Sequence, residues 1–311
     1  MKVVVTGGAG FIGANLCKAL NAAGIAEVVA FDNLSTGREA NLADAHDVDL
    51  FKGDILDPSA LDGACDHAST IVHLAARPSV PRSITDPLAS HEANATGTVN
   101  VLEAARRNGV AQVIVASSSS VYGSNPVLPK HEGLKPSPVS PYAASKLATE
   151  AYALAWQQSF GIDVLAFRFF NVFGPLQPAG HAYAAVIPAF VDAALQGRPL
   201  PVHGDGTQTR DFTFVGSVAA VLTDAVQRRV TYPEPVNLAF GSRRSLLEVV
   251  QELGDIVGKR LEVDHQPPRA GDVRDSQADN TRLHELFPDA QPVPFATGLG
   301  ETVRWFESLR D

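Results

Sequence analysis

The stretch that most constrains this chain is Gly7-Gly8-Ala9-Gly10-Phe11-Ile12-Gly13, which follows the β-branched run Val3-Val4-Val5 and opens a helical pattern through Ile12, Leu16, Ala19 and Leu20. Strand, glycine turn and helix in that order suit a dinucleotide. Gly7 permits the tight turn, Gly10 lets backbone approach a pyrophosphate, and Gly13 lets helix and strand pack closely. The helix N-terminus adds amide donors and a partial positive charge. The next strand pattern, Val28-Val29-Ala30-Phe31, ends on Asp32, a carboxylate suited to the adenosine ribose hydroxyls and repulsive to a 2′-phosphate. The cofactor expected here is NAD rather than NADP.

The same alternation continues. Leu50 to Ile55 reads as a third strand, with Asp54 placed either to bond the adenine amine or to cap the helix beginning near Asp57-Pro58. Residues 70–76 read as a fourth, in which Leu74, Ala75 and Ala76 bring backbone close to the cofactor and His73 is a packed core residue. Residues 87–107 read as one helix, with Asn94 a buried bridge between helix and sheet. A fifth strand over 110–116 runs into the serine cluster at 117–120, a helix follows over 142–160, and a sixth strand covers 162–170. Strands alternating with helices predict an α/β fold with a doubly wound parallel sheet, the Rossmann arrangement, whose ligands lie beyond the carboxyl ends of the strands. After residue 171 prolines and glycines crowd the chain, which predicts a smaller α/β substrate-binding domain over 172–311, with a segment near 209–240 returning to the first domain. Gly298 to Leu309 reads as an amphipathic closing helix.

Tyr142 and Lys146 stand one helical turn apart and face the same way. An isolated tyrosine titrates near about 10, too high for a useful base. A cation beside it favours the phenolate, so the pair is expected to make Tyr142 a base at neutral pH. The helix carrying it is apolar almost all round, which suits either a place inside the core or, the reading favoured, a homodimer interface formed with the 87–107 helix.

Composition narrows the partners. With 311 residues, 45% of them apolar, the chain can bury a large core, and its net charge of −9 without a basic stripe argues against nucleic acid. The first residues enter a strand pattern directly, and no apolar run is long enough to span a bilayer, so a soluble cytoplasmic protein is expected. The two cysteines, Cys17 in an apolar helix and Cys65 in a surface segment, form neither a disulfide framework nor a metal site.

Taken together, these residues resemble the extended short-chain dehydrogenase/reductases over essentially the whole chain. The likeness is closest to the NAD-dependent nucleotide-sugar epimerases and dehydratases, and among them to UDP-glucose and UDP-N-acetylglucosamine 4-epimerases. It is carried by residues 6–13, Asp32-Asn33, Asp54-Ile55, residues 73–76, Ser117 to Gly123 and Pro141 to Lys146, and further on by Arg168 to Pro175, Gly204-Asp205-Gly206 and Arg210-Asp211-Phe212. The resemblance implies that Tyr142 removes the proton of the sugar 4-hydroxyl, that Lys146 holds the nicotinamide ribose and lowers the tyrosine's pKa, and that Ser118 bonds O4. It extends the cofactor site to Asn33, Ser35, Thr36 and Gly37, to Ile55 and Asn94, and to Phe169. It places the substrate on Ser79, Ser119, Ser120 and Asn171, with Arg210 and Arg269 on the diphosphate. Val186, Pro201 and His203 would line the uridine, and Asp272 its ribose.

Departures from the family pattern narrow the reaction. Dehydrating relatives carry Asp-Glu where this chain has Ser119-Ser120, and decarboxylating relatives keep the glutamate that Ser120 replaces. Arginines expected after the Gly-Pro pair for a uronate substrate are absent from Gly174-Pro175-Leu176-Gln177-Pro178. Ser276 stands where a bulky tyrosine narrows the pocket at C2 in relatives, which leaves room for an acetamido group. The expected activity is UDP-GlcNAc/UDP-GalNAc or UDP-Glc/UDP-Gal interconversion. The alternatives are a nucleotide-sugar reductase or dehydrogenase, a UDP-glucuronate 4-epimerase and a non-catalytic NAD sensor.

Overall fold

In the computed structural model, residues 1–179, 185–267 and 274–310 are described. The chain begins with β1 (Lys2–Thr6), α1 (Phe11–Ala22), β2 (Glu27–Asp32), β3 (Val48–Lys52), α2 (Pro58–Cys65) and β4 (Thr70–His73). There follow α3 (Val80–Thr85), α4 (Pro87–His91), a π-helical turn over Glu92–Thr96 and α5 (Gly97–Arg107). β5 (Gln112–Ser118), a 3-10 turn over Ser119–Tyr122, α6 (Pro141–Phe160) and β6 (Asp163–Phe169) come next. The remainder comprises β7 (Asn171–Phe173), α7 (Val186–Leu195), β8 (Leu200–His203), β9 (Thr209–Arg210), β10 (Phe212–Phe214), α8 (Val215–Gln227) and β11 (Val236–Leu238). It ends with β12 (Arg244–Ser245), α9 (Leu246–Val257), β13 (Val263–Gln266), α10 (Thr281–Leu286) and α11 (Phe295–Ser308).

Seven strands form one parallel sheet in the order β3-β2-β1-β4-β5-β6-β11. The winding reverses between β1 and β4, which opens a crevice above the end of β1, where the glycine turn stands. Alternate residues of each strand serve opposite layers, so the strands are apolar throughout. Val3 and Val5 pack toward α1 and α8, through Leu16, Leu20, Val218 and Leu222. Val4 packs toward α2 and α5, through Leu61, Val101 and Leu102. Cys65, expected in a surface segment, is fully buried in this second layer, because the last turn of α2 faces the sheet through Leu61 and Ala64. Burial pushes both thiols up to about 12.

The 87–107 helix is interrupted. The π-helical turn breaks its hydrogen-bond register at Asn94, whose carbonyl accepts the hydroxyls of Thr98 and Thr149 at 2.5 and 3.0 Å. α6 begins more sharply. Pro141 occupies its first turn and the Ser140 hydroxyl accepts the Ala143 N–H at 3.1 Å, while Gly161 closes it in the left-handed conformation.

Beyond β6 a separate core gathers Phe173, Phe190, Phe212 and Phe295 from four elements, with the Phe173 and Phe295 rings 5.1 Å apart. The chain then goes back: α8 packs on α1, and β11 pairs with β6 through Val236↔Phe167. Among the described residues no helix is long and apolar enough to cross a membrane.

Candidate active site

The glycine turn is tight enough to exclude side chains. Gly7 has φ +71°, and a Cβ there would lie 2.8 Å from the Ala75 nitrogen; a Cβ on Gly13 would lie 2.0 Å from the Gly7 carbonyl oxygen. The Gly10 N–H donates to the Gly7 carbonyl at 3.0 Å, and no side chain caps α1. Asp32 is held from two sides: Oδ2 accepts the Ala9 N–H at 3.0 Å and Oδ1 the Leu34 N–H at 2.8 Å. A Cβ on Gly37 would meet both of its oxygens within 2.9 Å. Opposite, the Leu74 N–H donates to the Thr6 carbonyl at 3.0 Å and the Ala75 N–H to the Thr6 hydroxyl at 3.3 Å. A cradle without side chains, an uncapped helix start and an oriented carboxylate fit a dinucleotide, with Phe11 and Ile12 on the first turn of α1.

Neighbouring residues shape this cradle. Asn33 donates to Asp54 Oδ2 at 2.9 Å and accepts the Ser35 N–H at 3.0 Å, which orders the loop through Thr36. Asp54 lies beyond the end of β3, and its Oδ1 accepts the Leu56 N–H; Asp57 is the residue that caps α2, from Ser59 and Ala60. Ile55 is buried beneath this loop, and Phe169 ends β6 in the core. Asn94 bridges as its burial requires: it accepts the Arg77 N–H at 2.7 Å and donates to the Arg77 carbonyl and to Ser145 Oγ. His73 packs between Thr6 at 2.7 Å and Thr98 at 3.1 Å, and burial pulls its imidazole down to about 3, so it stays neutral.

Ser118 ends β5 next to this cradle, and its hydroxyl stands by the Tyr142 phenol. Lys146, one turn further along α6, is buried and donates to the Ala116 carbonyl at 2.8 Å. Burial pushes Tyr142 up, the Ser118 hydroxyl opposes that rise, and burial likewise pulls Lys146 down to about 8.

Beyond these three lies a cleft with two lobes. One, of about 230 Å³, is lined by Val186, Pro201 and His203 together with Phe190, Gln208 and Leu246. The other, of about 250 Å³, is lined by Ser118, Ser119, Ser120 and Ser276 with Tyr122 and Val139. Asn171 and Arg210 line both, so the expected diphosphate ligands stand at the junction. Asn171 is fixed by bonds from its N–H and Nδ2 to the Asp211 carbonyl at 3.1 and 3.2 Å. Ser79 caps α3 from a strained φ of +100°, and its neighbour Val80 lines the second lobe. Arg269 and Asp272 lie outside the described residues.

Several residues of the site escaped the sequence reading. Lys130, from a Pro-rich loop, is buried and lines the second lobe; its chain pairs with Gln277 and Asp279 beside Ser276. Nothing local marked it. Glu150 and Arg168 form a buried ion pair at 2.7 Å, with Ser117 donating to Glu150 at 3.0 Å behind Lys146. The signal for that pair was present: an acid four residues after Lys146 on an apolar helix, and an arginine inside an apolar strand.

A profile of the NAD dependent epimerase/dehydratase family matches residues 3–239. The chain is 38% identical to a UDP-glucose 4-epimerase of Mycolicibacterium smegmatis over 99% of both chains. It superimposes on a solved UDP-N-acetylglucosamine 4-epimerase of Methanobrevibacter ruminantium, in complex with UDP-N-acetylmuramic acid, with a TM-score of 0.92 at 36% identity, covering 99% of this chain and 98% of the other. With the UDP-glucose 4-epimerase of Thermus thermophilus, solved with NAD, the TM-score is 0.90 at 34% identity over 99% of each chain. The glycine cradle with its oriented Asp32, the grouping of Ser118, Tyr142 and Lys146, and the two-lobed cleft therefore sit in a chain that belongs to the NAD-dependent epimerase/dehydratase family.

Proposed function

We propose that this protein is an NAD-dependent UDP-sugar 4-epimerase that interconverts UDP-GlcNAc and UDP-GalNAc, UDP-Glc and UDP-Gal, or both pairs, through a transient 4-keto sugar. The observation that carries the reading is the convergence of Ser118, which lines the cleft, with Tyr142 and Lys146 on one face of α6 beside the glycine cradle. NAD, held by the glycine cradle and Asp32, would supply reversible hydride acceptance for the sugar C4. Tyr142, as phenolate, takes the O4 proton during oxidation and gives it back during reduction, so neither protons nor electrons are gained or lost over a cycle. Ser118 bonds O4, and Lys146 holds the nicotinamide ribose.

Substrate placement is carried over from the family resemblance, and the two lobes suit it. Uridine lies against Val186, Pro201 and His203, the diphosphate between Arg210 and Asn171 with Arg269, the ribose at Asp272, and the sugar among Ser118, Ser119 and Ser120. Ser79 borders the sugar, and the small side chain of Ser276 admits an acetamido group at C2. The same reading divides the chain near 171 into an NAD domain, to which 209–240 returns, and a substrate domain. It places the protein in the cytoplasm as a homodimer through residues 87–107 and 142–160.

Tyr142→Phe tests the proposal. Epimer formation from UDP-GlcNAc and from UDP-glucose, followed separately by NMR, is expected to fall by about a thousandfold with NAD still bound. Undiminished exchange removes Tyr142 from the reaction, and stoichiometric NADH from the unaltered protein replaces the epimerase reading with a dehydrogenase.

A further inference from the structure

Lys130 is a costly residue to place where it stands. It is only 5% exposed, and it lines the second lobe of the cleft with Ser118, Ser119, Ser120 and Ser276. Its backbone fastens it to the stretch that carries Ser276: the Lys130 N–H donates to the Gln277 carbonyl at 2.8 Å, and the Lys130 carbonyl accepts the Asp279 N–H at 2.8 Å. An ammonium has three protons to donate and no lone pair to accept with. One proton goes to the Asn125 carbonyl, and among the described residues no carboxylate pairs with the charge. The acid on the same lobe, Asp275, is taken by the Thr209 hydroxyl at 2.5 Å and by Arg243 at 3.5 Å. Burial accordingly pulls the Lys130 ammonium below its ordinary range. A buried cation held by one neutral carbonyl weakens a fold rather than supporting it. Two of its donors are left for a ligand in the lobe.

We propose that Lys130 is a specificity-determining residue whose ammonium donates to the carbonyl oxygen of an acetamido group at C2 of the sugar. The inference rests on the epimerase reading and its sugar placement, and deepens both. Ser276 and Lys130 belong to one wall, so a C2 substituent admitted by the small side chain of the first is met by the second. An acetamido carbonyl reaches further from the ring than the C2 hydroxyl of glucose, and its oxygen only accepts, which suits a group that only donates. Arg210 and Asn171 already stand at the junction of the lobes for the diphosphate. The effect of Lys130 therefore falls on the sugar and not on the nucleotide.

The test uses the full-length, NAD-loaded protein and the variant Lys130→Met, which keeps the apolar stem and removes the donors. Dissociation constants for UDP, UDP-glucose, UDP-GlcNAc and UDP-glucuronate are measured by calorimetry. The expected result is UDP-GlcNAc binding weakened about tenfold, with UDP and UDP-glucose held within about twofold. A loss shared equally by UDP-glucose and UDP-GlcNAc, as a loosened loop would give, overturns the proposal. So does the absence of any loss, or a loss confined to UDP-glucuronate, which would make the ligand of Lys130 a carboxylate. In each of these cases the epimerase reading stands. If the unaltered protein binds UDP but neither neutral sugar nucleotide, the epimerase reading fails and the role of Lys130 falls with it.

Discussion

Asp211 occupies a position where a carboxylate is costly and nonetheless fully used. Burial pushes it up to about 7, against the opposing bonds from the Ala278 N–H at 2.9 Å and the Ser242 hydroxyl at 3.1 Å. Its backbone carbonyl meanwhile holds Asn171 at the junction of the two lobes. A carboxyl raised on folding binds its proton more tightly in the native state, so the stability it contributes is complete below its unfolded value of 3.8 and is lost as pH rises through about 7. Three units correspond to about 4 kcal/mol as an upper bound. Thermal unfolding at about pH 4 and about pH 8 is therefore expected to show a smaller alkaline loss for Asp211→Asn than for the unaltered protein; equal losses would show that Asp211 is not held protonated. The sequence marked Asp211 only as part of a motif. Its environment is made by Ser242 and Ala278, 31 and 67 residues away, and such a cage has no local pattern to read.

At the scale of elements, α6 joins the reacting groups to the interior. One face carries Tyr142 and Lys146, and a turn later Glu150 meets Arg168 of β6 in a pair that is all but inaccessible to water. The Arg168 guanidinium lies 4.7 Å from the centre of the Tyr122 ring, and the Tyr122 hydroxyl donates to Asn237 at 2.6 Å. Asn237 donates in turn to the carbonyls of Lys130 and Asp279. Strand ends from the sheet are thus tied to the wall that carries Ser276. Removing one partner of a buried ion pair strands the other, at about 3–5 kcal/mol. Glu150→Gln is expected to lower stability by an amount near the bottom of that range, read in urea unfolding; a change below about 1 kcal/mol would mean that Arg168 finds another anion. The strands, the glycine turn and the Tyr142–Lys146 spacing were legible because each is written within a few consecutive residues. The π-helical turn was not, since Asn94 disrupts its helix in response to Thr98 and Thr149, the second of which lies on a different helix. Cys65 was misplaced for a related reason: the polar residues around it suggested surface, while the facing of a single helical turn set its burial.

For the molecule as a whole, α3, α4 and α6 each carry exposed apolar side chains. Leu88 on α4 is 74% and Phe160 on α6 50% exposed, with Ile84 on α3 and Tyr152 on α6 exposed as well. Burying such side chains between two copies would contribute about 1.5–3 kcal/mol each. On the proposed homodimer, Leu88→Glu with Phe160→Glu is expected to turn a dimer into a monomer by light scattering; a dimer that survives both changes, or an unaltered protein that is already a monomer, would sink this interface. A second feature concerns the path of the chain. After β6 it leaves the sheet, returns as α8 and β11, and leaves again for α9 and α11. The two walls of the cleft are thus joined by repeated passes of one chain, so any opening between them has to bend several crossings together.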